Sequence, residues 1–367
     1  MRLKLGVIGC GNISEIYLKN LCRFGDVEVA AVADMDLERA RARAQQFQIP
    51  RTLSVEELLA ETEVDVVLNL TIPMAHFEVA MAALQAGKSV YNEKPLAVSL
   101  EEARRILEFA AEKALRIGCA PDTFLGAALQ TCRQLVDAGA IGIPVGATAF
   151  MISHGHEDWH PDPAFYYQPG GGPMFDMGPY YLTALVTLIG PASRVTGSAQ
   201  ISFLERTVTS PPKFGSTIRV DVPTNIATVV DFANGAIGSM LMTFDVWRAG
   251  LPRMEIYGSE GTLRIPDPNN FGGAVELWRQ DRRDWRSMPL INSLTANLRG
   301  LGVGDMARAI RDRCSHRASG ELAYHVLEIM HAAHDASREE RHIHLASTCE
   351  RPAPLRADEF EFARTSL

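Results

Sequence analysis

Basic residues are in deficit: 36 lysines and arginines face 44 aspartates and glutamates, a formal net charge of −8 over 367 residues. No lysine or arginine block occurs anywhere. A nucleic-acid groove or an anionic membrane surface needs clustered positive charge, so neither is expected as a partner. The six cysteines, Cys10, Cys22, Cys119, Cys132, Cys314 and Cys349, include no CxxC pair and no metal-ligand spacing. They read as the reduced thiols of a cytoplasmic protein. Residues 1–8 hold only a short apolar run with no small-residue cleavage site behind it, so they read as the start of the fold and not as a signal peptide. Long apolar runs are also missing. The least charged stretch, 177–193, is bracketed by Gly178, Pro179, Gly190 and Pro191, which cut its helical part to about ten residues, too few to span a bilayer. It reads as a buried helix. No repeat or low-complexity tract is seen.

What remains is an ordinary soluble composition, 47% hydrophobic and 22% charged, of a length that suits two domains. The expected partner is a small molecule. Residues 3–8 form a short apolar strand running into a glycine turn and a helix with Ile16, Leu18 and Leu21. Strand 27–33 ends at Asp34, and Asp36 caps a helix carrying Leu37, Ala40, Ala44 and Phe47. A third strand over 64–70, a helix over 74–86 and a fourth strand over 89–91 follow. Ser99 and Glu102 form a capping box for a helix to about residue 115, before a fifth strand over 116–119. Alternating strands and helices with nearly unbroken apolar strands imply an α/β domain, a doubly wound parallel sheet, over residues 1–122.

Residues 123–367 read as an α+β domain with a largely antiparallel sheet. Its strands are expected at 145–153, 192–204, 226–232, 236–244, 253–257, 262–265 and 274–279, with Asn234-Gly235 as a hairpin turn. Helices near 125–138, 175–189, 301–313 and 320–339 should cover one face. The other face is left for self-association, as a homodimer or homotetramer. Residues 205–224, rich in Ser, Thr, Pro and Gly, read as an extended loop or arm.

Gly9-Cys10-Gly11-Asn12-Ile13-Ser14 fits G-x-G-x-x-(G/A) with serine in the last place. The first glycine permits the turn, the second lets backbone approach a pyrophosphate, and the small last residue lets helix and strand close up. The turn follows the first strand, opens a helix whose amides can hold phosphate, and is followed by Asp34 at the end of strand two. NAD is the expected cofactor, held at Gly9, Gly11, Asn12 and Ile13, with Asp34 accepting from the ribose hydroxyls and repelling a 2′-phosphate. Arg39 and Arg41 nearby leave NADP open.

Four segments in order carry a family resemblance: Gly9-Cys10-Gly11, Thr71-Ile72-Pro73-Met74-Ala75-His76, Glu93-Lys94-Pro95, and Gly170 through Asp176 to Tyr180 in Gly-Gly-Gly-Pro-Met-Phe-Asp-Met-Gly-Pro-Tyr. Over essentially the whole chain the sequence resembles the glucose-fructose oxidoreductase, inositol dehydrogenase and rhizopine-catabolism (Gfo/Idh/MocA) family. The resemblance implies an N-terminal Rossmann domain and a substrate-binding and oligomerisation domain. It implies that Lys94 lies beside the nicotinamide and the substrate hydroxyl as the catalytic cation, with Pro95 fixing its turn. Hydride transfer from a carbinol carbon independently wants such a group, because the oxygen must lose its proton and an ammonium stabilises the developing alkoxide. Asp176 matches the aspartate that hydrogen-bonds the reacting sugar or cyclitol.

Four residues on, the commoner family pattern has histidine and this sequence has Tyr180, as some sugar-oxidising branches do. Two readings stay open: Tyr180 accepts the proton, helped by a nearby cation because its ordinary pKa is about 10, or Lys94 is the base and Tyr180 positions substrate. Thr71, Pro73, His76 and Glu93 are expected to border the cofactor by the same resemblance. Asp122 and Thr123 are further ligand candidates, although the family's usual arginine-containing segment is not visible there. His154, His156 and Trp159 suggest a loop rimming the substrate, with Tyr166 and Tyr167 nearby; their spacing matches no zinc motif. His331, His334, His342 and His344 read as packing or surface residues. The leading function is an NAD-dependent dehydrogenase acting on a secondary hydroxyl of a pyranose, glycoside or cyclitol. A glycoside-cleaving enzyme that retains NAD and a non-catalytic cofactor-binding protein remain as alternatives.

Overall fold

Strand–turn–helix alternation begins at residue 3 and carries the chain through a parallel sheet. The structure, a computed structural model, describes residues 2–356 and Glu359. In chain order the first elements are β1 (Leu3–Ile8), α1 (Asn12–Leu21), β2 (Val27–Ala33), α2 (Leu37–Phe47), β3 (Thr52–Leu53), α3 (Val55–Ala60), β4 (Val66–Asn69), α4 (His76–Gln85), β5 (Ser89–Asn92), α5 (Leu100–Glu112) and β6 (Ile117–Cys119). The strands pair in parallel in the order β3-β2-β1-β4-β5-β6. The chain runs outward from β1 to β3 on one side and from β4 to β6 on the other, so the order reverses between β1 and β4. That is where a doubly wound sheet binds its ligand. β4 and β5 are buried along their whole length, as strands covered on both faces must be. Local chemistry fixes the helices: the Asp36 carboxylate accepts the Glu38 and Arg39 amides, and Ser99 with Glu102 forms a capping box on α5.

The remaining elements are α6 (Ala127–Asp137), β7 (Pro144–Ile152), α7 (Gly172–Ile189), β8 (Ala192–Gln200), β9 (Glu205–Thr207), β10 (Thr217–Arg219), β11 (Asn225–Phe232), β12 (Ile237–Thr243), β13 (Met254–Gly258), β14 (Gly261–Ile265), β15 (Val275–Arg279), β16 (Trp285–Met288), α8 (Leu301–Asp312), α9 (Gly320–Glu339) and β17 (Ile343–His344). Nine strands form one sheet in the order β16-β15-β14-β13-β7-β12-β11-β8-β17. Every neighbouring pair is antiparallel except β7 and β12. Buried and exposed residues alternate along β11, and α7 packs against β7, β11 and β12.

The structure corrects several expectations. α7 runs unbroken for 18 residues through Gly178 and Pro179 instead of about ten; one internal proline removes a single amide and is tolerated where the helix is packed on a sheet. Among the described residues no helix is long and apolar enough to cross a membrane. Residues 205–224 are not a plain arm, because β9 and β10 pair in an antiparallel ribbon.

The chain divides into two units. One holds the residues up to Ala127, then Ile291–Tyr324, then the chain from Pro352; the other holds Ala128–Leu290 and His325–Arg351. Sequence reading puts one boundary at 122/123, whereas here the first unit takes back a later segment. α8, expected on the second domain's sheet, therefore belongs with the parallel sheet. The Asn20 amide donates to the Asn297 and Arg299 carbonyls at 3.0 and 2.8 Å, and Arg308 pairs with Asp26 at 2.7 Å.

Candidate functional site

The first unit carries the glycine turn at the point where strand order reverses. Gly9 has φ +101°, and a Cβ there would lie 2.6 Å from the Leu70 carbonyl carbon. Only glycine lets β1 turn this close to the chain leaving β4. A Cβ on Gly11, by contrast, would meet nothing within 4 Å, and Gly11 opens α1 with no side-chain cap. The first amides of α1 are thus left for an outside acceptor, and the space beside Gly11 is open to it. The Asp34 carboxylate accepts the Cys10 amide at 2.7 Å and the Asp36 amide at 2.9 Å. It ties the glycine turn to the end of β2, and Arg39 lies 3.6 Å away. Sequence reading did not single out Met35, 99% exposed beside Asp34, or Ile72 and Met74, 68% and 66% exposed on the loop after β4. Their signal was available: apolar residues in loops at the carboxyl ends of parallel strands. These features fit a dinucleotide.

The Glu93-Lys94-Pro95 turn after β5 is braced from several directions. Glu93 Oε1 accepts the Tyr17 hydroxyl at 2.7 Å, and Oε2 accepts the Lys94 amide at 2.8 Å. Asn92 donates to the Leu96 carbonyl at 3.0 Å and accepts from Asn69 at 3.1 Å. His76 is fully buried, with Nδ1 2.6 Å from the Pro95 carbonyl and Nε2 3.1 Å from the Thr71 carbonyl. Burial lowers its pKa, so the neutral ring has one N–H to give, and the shorter contact assigns it to Pro95. The Thr71 hydroxyl donates to Asn69 Oδ1 at 2.6 Å. Glu93 thus links the turn that carries Lys94 to α1, and His76 links it to the chain leaving β4. Pro73 opens a single 3₁₀ turn before α4. Asp122 is buried at the end of the sheet, and its Oδ2 accepts the Gly300 and Gly302 amides at 2.8 and 3.0 Å, at the start of α8. Burial, first among the causes, pushes its pKa up to about 6.

The second unit carries the other candidates. Asp176 and Tyr180 lie four residues apart on α7 and so share a face. Asp176 Oδ2 is 3.3 Å from His156 Nε2. The His156 ring stacks on Tyr166 with centroids 3.7 Å apart and stands 5.3 Å from Trp159. His154 stacks on Trp247. Arg206 holds this loop in place: it donates to the His154 carbonyl at 3.4 Å and the Phe244 carbonyl at 2.8 Å, and pairs with Glu157 at 3.2 Å and with Asp245. The Thr209 and Ser210 amides donate to the Glu157 carbonyl at 2.9 Å. The structure thus brings Asp176, His156 and Trp159 into one array. Neither Arg206 nor Trp247 was a sequence candidate, because their roles depend on contacts across 38 to 93 positions of chain.

Comparison with known proteins shows the family and the fold. Residues 3–120 match the GFO_IDH_MocA oxidoreductase family, NAD-binding Rossmann fold, and residues 129–264 match the GFO/IDH/MocA C-terminal domain. The chain belongs to this family of NAD-binding oxidoreductases. It is 28% identical over 319 residues to the dTDP-3,4-didehydro-2,6-dideoxy-alpha-D-glucose 3-reductase of Streptomyces violaceoruber, covering 84% of this chain and 85% of that protein. It is 34% identical over 151 residues to inositol 2-dehydrogenase 3 of Saccharopolyspora erythraea, covering 40% of this chain and 44% of that protein. Among solved structures, an NAD binding oxidoreductase from Klebsiella pneumoniae superposes with a TM-score of 0.83 at 22% identity, over 94% of this chain and 99% of that one. Levoglucosan dehydrogenase in complex with NADH gives 0.81 at 21% identity, over 95% and 100%.

Proposed function

We propose that the protein is an NAD-dependent dehydrogenase moving hydride reversibly between nicotinamide and a secondary hydroxyl of a pyranose, a glycoside or a cyclitol. The observation that carries this reading is the bracing of the Lys94 turn by Tyr17, Asn92 and His76 through buried hydrogen bonds, which a solvated loop lysine would not need. Relatives whose names specify inositols and a deoxysugar support the substrate class. NAD, when bound, supplies the hydride acceptor or donor. Gly11 and the first amides of α1 hold its pyrophosphate, Asp34 its ribose hydroxyls, and Met35 and Ile72 offer apolar faces to its rings. A 2′-phosphate would meet the Asp34 carboxylate, which favours NAD over NADP.

In the reaction Lys94 stabilises the negative charge that develops on the substrate oxygen, Asp176 orients that substrate, and Tyr180 takes the proton. His156, held against Asp176, and Trp159 supply a polar edge and a flat face to the ring. Six free thiols suit a reducing cytoplasm, and the sheet face away from α7 suits a homo-oligomer. The test is NADH formation from a panel of pyranoses, glycosides and inositols. Lys94→Ala is expected to fold and bind NAD, yet to lose turnover by about a hundredfold or more, as general acid–base groups do. Near-normal turnover in that variant, or silence of the native protein across the panel, overturns the reading; silence would turn the search to glycoside cleavage.

A further inference from the structure

Two of the four tryptophans of the chain are spent at the surface of the second unit, beside the loop that carries His154 and His156. Trp247 is 82% exposed and Trp159 is 60% exposed. Trp247 is nevertheless held in a defined orientation. Its ring lies on that of His154 with centroids 3.3 Å apart and planes 15° from parallel, so one face is covered and the other is presented outward.

The backbone beneath is fixed, because the Ser153 amide donates to the Thr243 carbonyl at 3.1 Å and the Val246 amide to the Ser153 carbonyl at 3.0 Å. Arg206, its side chain only 5% exposed, pins both runs at once through the His154 and Phe244 carbonyls and through the carboxylates of Glu157 and Asp245. Thr224 donates to the second Asp245 oxygen at 2.8 Å. A buried cation between two carboxylates is costly to desolvate, and one use for such a cluster is to define a single geometry. Burial and the Arg206 charge lower the His154 pKa, so the plate is a neutral aromatic pair at pH 7. Two residues further along the same loop, His156 touches Asp176 at 3.3 Å and packs against Trp159.

We propose that the Trp247–His154 plate, with Trp159, is an outer site for a second ring joined to the reacting sugar, so that the physiological substrate is a glycoside and not a free monosaccharide. This rests on the sugar dehydrogenase reading and narrows its substrate class. The occupant is a flat apolar ring face, which either a second pyranose or an aryl aglycone presents; an exposed, pre-oriented indole binds both at low entropic cost.

The experiment is saturation-transfer NMR in the presence of NADH, which cannot accept hydride from the hydroxyl ligands, on native protein, Trp247→Ala and Trp247→Phe. The ligands are matched methyl pyranosides, 4-nitrophenyl pyranosides and disaccharides of the gluco, galacto, manno and xylo series. In at least one series the native protein is expected to bind the two-ring ligand about three- to tenfold more tightly than the methyl glycoside, the range of one aromatic stacking contact. Trp247→Ala should erase that preference and Trp247→Phe should keep part of it. The disaccharide and aryl arms tell the two occupants apart. Equal affinity for one- and two-ring ligands in every series overturns the proposal, as does a preference that survives Trp247→Ala. A Trp247→Ala protein that dissociates into monomers without any ligand preference in the native protein also overturns it and assigns the plate to an interface between copies. Binding is read without turnover, so failure to form Lys94-dependent NADH would count against the dehydrogenase reading separately.

Discussion

His334 should make the protein's acid sensitivity visible. Burial pushes its pKa from 6.5 down to about 4, with His331 adding to the effect, and its ring stacks on Phe175. The unfolded chain takes up this proton first, so the stabilisation from the neutral ring is complete above pH 6.5 and is lost as pH falls towards 4. At ~1.4 kcal/mol per tenfold in proton affinity, the site alone is worth about 3 kcal/mol across that window. His76, His316 and His325, whose pKa values are also lowered by burial, act in the same direction. Asp122 opposes them: its folded pKa of about 6 lies above the ordinary 3.8, so stability is gained as pH falls from 6 towards 4. Thermal unfolding followed from pH 7 to pH 4.5 should show a falling Tm, a shallower fall in His334→Gln and a steeper one in Asp122→Asn. A flat native profile would contradict the burial argument. Sequence reading had Asp122 as a ligand candidate after the fifth expected strand; that it is buried and accepts the Gly300 and Gly302 amides was not legible, because those partners lie 178 and 180 positions away.

The β1–α1 turn separates what a glycine does for the fold from what it does for a ligand. Gly9→Ala places a Cβ against the chain leaving β4 in a left-handed conformation, and should lower Tm and NAD affinity together. Gly11 has a φ of −69° and open space around its Cβ position. Gly11→Ala should therefore leave Tm within about 2 °C of native while weakening NAD binding about tenfold or more, because only the pyrophosphate needs that space. Differential scanning calorimetry and NAD titration decide it; parallel losses in both variants would remove Gly11 from the cofactor site. Where an element carried its own end signals, the sequence located it: Asp36 on α2, the Ser99–Glu102 box on α5, and Asn234-Gly235 between β11 and β12, where Asn234 Oδ1 accepts the Ala236 amide at 3.0 Å. α3 was passed over although Ser54 and Glu57 form the same box, because its six residues are too few to show a helical period. Two-residue strands such as β3 and β17 exist only by pairing with β2 and β8, which no local pattern states.

For the whole molecule the consequence is that the nucleotide-binding unit is not a stretch of N-terminal sequence. Residues 1–127 alone would lose the amides that satisfy Asp122, the carbonyls that accept from Asn20, the Asp26 pairs with Arg308 and Arg311, and the bridge between Gly118 and Ser319. A fragment ending at residue 127 is expected to show no cooperative unfolding transition and no NAD binding by calorimetry, whereas the full chain shows both; a stable, NAD-binding fragment would show α8 to be dispensable. The sequence by itself determined the alternation of strands and helices, the glycine turn and the acidic end of β2, because each is written in residues a few places apart, within reach of period, capping and turn chemistry; Lys94, Asp176 and Tyr180 stood out only through the family resemblance of the segments that carry them. Tertiary structure alone decided that α8 joins the parallel sheet, that Glu93 and His76 brace the Lys94 turn, and that His154 lies under Trp247. Those outcomes depend on which distant backbone amides, carbonyls and ring faces remain to be satisfied once the strands have paired, and that is settled only when the whole chain has folded.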